Sequence, residues 1–372
     1  MTTENSWVEI DLGRIVNNYR ICSALAPGKR IMAVVKANAY GHGDVEVAAA
    51  LESAGCTFFA VANPSEALRL RKGGIRGDIL ILGFSTPDAV PDLIENNIIQ
   101  TIVSAEHAEM MKRQGLRVHF AVDTGMNRIG LDGEDTDECE RIIRAYSDIF
   151  RVEGIFTHLC VADTPSEDAF TRRQGELFYR LADRLSDMRL PSVHCLNSAG
   201  IMRFPDSDRG NVARLGIALY GYSPDPSLPL PEGILPALEW KTRVSMVKTL
   251  TPGETVGYGR AYKAESPVRV ATLTAGYADG YNRALSGGRG SVVINGRRAP
   301  VIGRVCMDQT MVDVTGIDGV GPLTEATLLG SGFDAEEMAS ITGTISYEEL
   351  CAISSRVKRK HKGSIADERL LK

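Results

Sequence analysis

The chain has 372 residues and a formal net charge of −5, with 44% hydrophobic and 24% charged residues. That length is generous for one core, so two domains are expected, and the composition is that of an ordinary globular protein. The acidic balance argues against nucleic acid as a main partner, because phosphate backbones select basic surfaces.

No apolar run approaches the length of a membrane span, and the opening Met1 to Glu9 is too polar and acidic for a signal peptide. A cytoplasmic location with no membrane partner is therefore expected. The seven cysteines (Cys22, Cys56, Cys139, Cys160, Cys195, Cys306, Cys351) are scattered without paired spacing, which signals neither a disulfide framework nor a metal site.

In chain order, the first strong pattern is Ile31 to Val35, an apolar, partly β-branched run suited to a strand covered on both faces. It ends on Lys36. Tyr40, Gly41 and Gly43 then mark a glycine-rich turn, and Asp44 is placed to cap a helix that stops at Gly55. Further apolar runs follow at 57–62, 78–83, 100–104, 116–123, 153–158, 192–196 and 211–215, which makes eight strands in all. Helical patterns lie between them, among them 64–71 with proline in the first turn, 106–114, 137–146 and 166–188. Such alternation implies right-handed βαβ crossovers, and eight repeats favour closure into a (β/α) barrel over an open sheet.

A cluster of prolines from Pro224 to Pro236 reads as a linker. Beyond it, strand-like runs at 240–250, 268–274, 291–294, 299–305 and 310–314 predict a mostly antiparallel β domain, with Asn295-Gly296 as a hairpin turn. The expected division is 1–236 for the barrel and 237–372 for the β domain. The basic run from Arg356 to Lys362 reads as a solvated helix face.

Several of these stretches can carry chemistry. Lys36 stands at the carboxyl end of a strand in a βα unit, where barrels keep their reactive groups. A lysine held there is a candidate amine nucleophile, since such lysines tend toward a lowered pKa, although it can equally be no more than the first solvated residue. With Tyr40 and two glycines beside it, the site suits a pyridoxal phosphate Schiff base. Arg128, in Asp123-Thr124-Gly125-Met126-Asn127-Arg128, can clamp a carboxylate in two parallel hydrogen bonds or lie in a surface ion pair. His158 ends the sixth strand, and Ser198 lies between the seventh strand and a helix start. Arg214-Leu215-Gly216-Ile217 continues from the eighth, where barrels often hold phosphate. In the β domain, Gly257-Tyr258-Gly259, Gly276-Tyr277-Ala278-Asp279-Gly280-Tyr281 and Arg304-Val305-Cys306-Met307-Asp308 place tyrosines and backbone amides in turns.

Taken in order and spacing, these segments resemble the alanine racemases, from Val8-Glu9-Ile10-Asp11-Leu12 to Tyr347-Glu348. The resemblance implies a pyridoxal phosphate enzyme built as an eight-stranded α/β barrel plus a β domain. It further implies a homodimer in which the β domain of one subunit completes the site of the other. Lys36 resembles the cofactor-bearing lysine, and Tyr258, given from the partner subunit, the second catalytic base. Tyr40, Ser198, Tyr347 and the amides of Gly216 and Ile217 match the phosphate ligands. Arg214 matches the arginine that faces the pyridine nitrogen, and His158 the histidine in the network beneath the ring. Arg128 and the amide of Met307 match the substrate-carboxylate binders, while Asp163, Tyr277, Arg283 and Arg304 fall where that family narrows its entrance corridor. One departure stands out. Many members hold the substrate arginine with a carbamylated lysine, but Ala121 occupies that position here, which leaves Arg128 to another anion, a chloride or a nearby carboxylate.

The implied activity is the interconversion of L- and D-alanine by two-base proton transfer at Cα, which supplies D-alanine for peptidoglycan. The nearest alternative is a racemase of serine or another small amino acid. Two phenols at the pocket, Tyr277 and Tyr347, favour a small side chain, and efficiencies on alanine and serine measured side by side separate the two readings.

Overall fold

The computed structural model describes residues 4–363. They divide into two compact units that are discontinuous in sequence: Arg14–Ala39 with Gly43–Leu235 form one, and the N-terminal strand, Tyr40–His42 and the chain from Pro236 onward form the other.

The first unit is the barrel. Its eight parallel strands are Arg30–Val34, Phe58–Val61, Asp78–Ile81, Ile99–Ile102, Arg117–Asp123, Arg151–Phe156, Ser192–His194 and Val212–Leu215. The first seven pair in sequence order, and the eighth returns to the first with Arg214 opposite Met32. The seventh and eighth are joined by backbone bonds from Asn211 to Val193 (3.1 Å) and from Arg214 to Leu196 (3.0 Å). All the strand positions between Phe58 and Val61, for example, are buried, as expected where helices cover a sheet whose other face is the barrel core.

Side chains of non-neighbouring strands meet inside. Phe58 of the second strand lies edge-on to His119 of the fifth at 6.0 Å, and His119 lies 5.3 Å from His194 of the seventh. At the amino ends of the strands the barrel carries an ion network. Asp78 is shared by Arg30 and Arg117, both at 2.8 Å, and Arg117 also pairs with Glu153 at 2.6 Å. The opposite, carboxyl ends are left for chemistry.

The second unit is built on the long strand Leu238–Leu250, which register shifts near Trp240 and Val244 allow to serve two sets of partners. One half pairs antiparallel with Glu325–Leu329 and with the N-terminal strand Ser6–Asp11; the other pairs with Val268–Leu273, which in turn pairs with Thr310–Asp313. The N-terminal strand thus belongs to this sheet, with Val8 opposite Trp240, although it precedes the barrel in sequence. The Asn295-Gly296 turn joins Ser291–Ile294 to Arg297–Pro300 with φ of 49° and 74°, the left-handed pair that a tight hairpin requires.

The basic run is no helix face. Lys358–Lys362 is an edge strand, parallel to Ser6–Asp11, with Lys358 paired to Glu4 and Lys362 to Glu9. Its charges blunt an edge that would otherwise invite pairing with another chain. Among the described residues, no helix is long and apolar enough to cross a membrane.

Candidate active site

Lys36 follows the first barrel strand, where the Val35 amide still bonds to Ala60 O at 2.8 Å. The next residues are left-handed: Ala37, Asn38, Ala39 and Tyr40 have φ of 53°, 55°, 52° and 51°. The expected turn is present, but its strain falls on residues with a Cβ, each at a cost of about 1–2 kcal/mol. Gly41 and Gly43 come only afterwards, and Gly43, not Asp44, takes the cap position of the helix Asp44–Ser53.

Local bonds hold the turn. The Ala39 amide reaches Val35 O and the Gly43 amide reaches Asn38 O, both at 2.9 Å. The Asn38 side chain accepts from the Asp44 amide at 3.2 Å. Glu66 accepts from the Ala37 amide at 2.9 Å and from the Ala62 amide at 2.8 Å.

Arg214, on the eighth strand, is 4% exposed. One terminal nitrogen donates to His194 Nδ1 at 2.7 Å and to His194 O, and the other to Thr157 O (2.8 Å), Cys195 O (3.0 Å) and His158 Nδ1 (3.3 Å). Its Nε–H meets no acceptor among the described residues. A guanidinium can only donate, so Nδ1 of both histidines is an acceptor and each neutral ring carries its proton on Nε2. His194 Nε2 then donates to His119 Nδ1 at 3.1 Å. Burial, and after it the Arg214 charge, pushes His158 down to about 3, with Arg128 and Lys36 adding to the effect. Burial likewise takes His119 down to about 3 and His194 well below its ordinary value. Arg214 itself is lowered by burial to about 10 and remains a cation at neutral pH. Lys36, Arg128, His158 and Arg214 therefore gather at one end of the barrel.

Beside them, the Gly216 amide donates to Ser198 Oγ at 2.9 Å, and Ile217 opens a short helical turn. Asn197 caps the helix that Ser198 begins by accepting from the Gly200 amide at 2.9 Å. These strand ends offer a hydroxyl and backbone N–H groups, which suits a phosphate dianion. The unused Arg214 Nε–H suits the ring nitrogen of a pyridine. The residues present thus fit pyridoxal phosphate.

Arg128 is presented by a loop in which Asp123 Oδ1 accepts from the amides of Gly125 (2.9 Å) and Asn127 (3.0 Å). It is exposed and forms no ion pair among the described residues, while Ala121 is buried in the fifth strand. No described acid takes the place of the carbamate, so the guanidinium is open to an anionic ligand.

The other expected residues lie in the second unit, except Asp163, which belongs to the barrel. Tyr40 is buried, its ring 5.9 Å from that of Tyr347, and burial raises its hydroxyl pKa above the ordinary value. Tyr258 is 71% exposed. It is flanked by Gly257 and Gly259 at φ of 73° and 70°, and a Cβ on Gly259 would stand 3.2 Å from the Arg304 guanidinium. Tyr258 and Met307 border one open cleft. The loops of Tyr277 and Met307 are bonded to each other, from the Tyr277 amide to Cys306 O and from the Ala278 amide to Met307 O, each at 3.0 Å. Arg283 and Arg304 are exposed and Asp163 is half-buried.

Glu66, His194 and His119 escaped the sequence reading. Asn63-Pro64-Ser65-Glu66 shows only a helix start, and the two histidines look like core residues of strands.

Two family models cover nearly the whole chain: the alanine racemase N-terminal domain matches residues 10–224 and the C-terminal domain residues 237–361. Alanine racemase 1 of Clostridium acetobutylicum is 41% identical over 95% of this chain and 94% of its own length. The solved alanine racemase of Clostridium difficile 630 superposes with a TM-score of 0.92 at 35% identity, covering 97% of both chains. That of Bartonella henselae, solved with covalently bound pyridoxal phosphate, gives 0.86 at 30% identity over 96% of this chain and 100% of that one. The chain belongs to the alanine racemase family and is an isomerase of that class.

Proposed function

We propose that this racemase carries pyridoxal phosphate on Lys36 and moves the Cα proton of alanine with two bases, Lys36 on one face and Tyr258 of a second copy on the other. The cofactor, when bound, draws electrons from Cα and makes its hydrogen acidic. Inversion requires removal of a proton from one face and its return on the other, so the bases must lie on opposite sides. The Lys36 amine removes the proton of the D-isomer and the Tyr258 phenol that of the L-isomer.

The phosphate is held by the hydroxyls of Tyr40, Ser198 and Tyr347 and the amides of Gly216 and Ile217. Arg128 and the Met307 amide bind the substrate carboxylate, and Tyr277 narrows the way in. His158, kept neutral, adds no charge beneath the ring. Arg214 cannot hand a proton to the ring nitrogen, which weakens electron withdrawal into the ring and favours return of the proton to Cα over side reactions such as transamination.

The observation that carries this reading is Arg214: buried, its terminal nitrogens committed to the barrel interior, with one N–H left over. The working form is a homodimer with shared sites, located in the cytoplasm and supplying D-alanine for peptidoglycan. Borohydride reduction of the loaded protein followed by peptide mass spectrometry tests the cofactor assignment. The mass increment is expected on the Lys36 peptide, and attachment to any other lysine overturns it.

Arg128→Ala is expected to raise KM for alanine about tenfold to a hundredfold, the value of a charge-assisted pair, with a smaller change in kcat. Steady-state kinetics with both enantiomers read this out, and an unchanged KM removes Arg128 from the carboxylate site.

A further inference from the structure

The left-handed turn after Lys36 needs something to hold it, and the helix that follows the second barrel strand supplies a carboxylate. Asn63 caps that helix, accepting from the Glu66 amide at 3.0 Å, so Glu66 occupies the third helical position. A glutamate there ordinarily reaches back to the amide of the cap residue. Glu66 does not: one oxygen takes the Ala62 amide and the other crosses to the Ala37 amide beside the first strand. The residue is 8% exposed, so its carboxylate is largely withdrawn from water, where a charged acceptor is stronger. Ala62 follows the second barrel strand and Ala37 follows Lys36, so one carboxylate ties two adjacent strand ends together at the first left-handed residue.

We propose that Glu66 is a positioning residue for Lys36, with its shared carboxylate holding the left-handed turn that aims the amine. This rests on the assignment of Lys36 as the reacting lysine. The nearby anion Asp44 is engaged elsewhere, with Arg69, and so does not duplicate the clamp. Without Glu66, the Ala37 amide loses its acceptor and the turn is free to relax toward right-handed backbone, which points the lysine elsewhere.

The test uses the full chain loaded with pyridoxal phosphate. Glu66→Ala is expected to speed hydrogen exchange at the Ala37 amide about tenfold or more and to lower kcat by a similar factor. Ala37 is exposed, so Ala37→Gly removes no packing while making the left-handed conformation acceptable without the clamp. Added to Glu66→Ala, it is expected to restore a large part of kcat. A merely structural glutamate predicts the opposite pattern: a lower urea midpoint, unchanged kcat per folded molecule and no rescue by glycine, and that pattern overturns the proposal. Should Glu66→Ala fail to fold, Glu66→Gln retains one acceptor oxygen and is expected to give about a threefold to tenfold loss of kcat with faster exchange at Ala37. Unchanged exchange and kcat in that variant also overturn it. Borohydride mapping in the same samples separates the two assignments: a cofactor found away from Lys36 refutes the lysine, whereas exchange at Ala37 still decides the clamp.

Discussion

Replacing Tyr258 with phenylalanine is expected to lower racemisation about a hundredfold to ten-thousandfold, the usual contribution of a placed proton-transfer group. Capture of pyridoxal phosphate should be unchanged, because Tyr258 lies on a turn remote in sequence from the segments proposed to hold the phosphate and is 71% exposed in the isolated chain. The loss should also be one-sided. With Lys36 intact, D-alanine in heavy water still exchanges its Cα hydrogen, and the deuterium returns to the same face. L-alanine, whose proton requires the phenol, exchanges far more slowly. Proton NMR of the two enantiomers after incubation measures both rates. A variant that keeps full racemisation, or that slows exchange of both isomers equally, removes Tyr258 from the role of second base.

The second large effect is on stability in acid. His119 and His158 are held near 3 and His194 well below its ordinary value, in each case mainly by burial. In the unfolded chain each would titrate near 6.5. Above that pH neither state binds the protons, and the neutral rings cost nothing. Below it the unfolded chain takes up protons that the native barrel refuses, so stability falls as pH drops from about 6.5 toward 3. At pH 5 the loss is about 2 kcal/mol for each fully buried ring, and unfolding should take up about three protons per chain from this cluster. Urea unfolding at pH 7 and pH 5, at fixed cofactor concentration, measures the slope. His119→Gln should remove about one proton from it. A stability that is flat across this interval contradicts the neutral chain of rings.

That cluster also shows where sequence reading stops. The barrel was readable because each strand is a short apolar run between helical patterns, and because Lys36, Arg128, His158, Ser198 and Arg214 stand at the carboxyl ends of such runs. The hairpin at Asn295-Gly296 was readable because its two residues are those that accept positive φ. The turn after Lys36 was located, but not its hand. Alanine and tyrosine disfavour left-handed backbone, and one tolerant asparagine between them does not announce a run of four such residues; the acceptor for the Ala37 amide, Glu66, comes from the helix after the second barrel strand. The link from Arg214 through His194 to His119 joins three strands across the barrel interior, and no local spacing announces it. The N-terminal strand carries no local mark of its sheet for a similar reason: its partner Trp240 lies beyond the entire barrel in sequence. The basic run from Lys358 reads locally as a helix face because a strand pinned by Glu4 and Glu9 draws its stability from distant acids.

If the amine and the phenol of one working site come from two copies of the chain, mixing two inactive variants should restore activity. Lys36→Ala and Tyr258→Phe, each inactive alone, are combined at equal concentration under conditions in which mass spectrometry shows subunit exchange. Random exchange makes half the dimers mixed, and each mixed dimer then holds one site with both groups intact, so about one quarter of wild-type activity should return. No recovery in fully exchanged material would mean that both bases belong to the same chain, which contradicts the account.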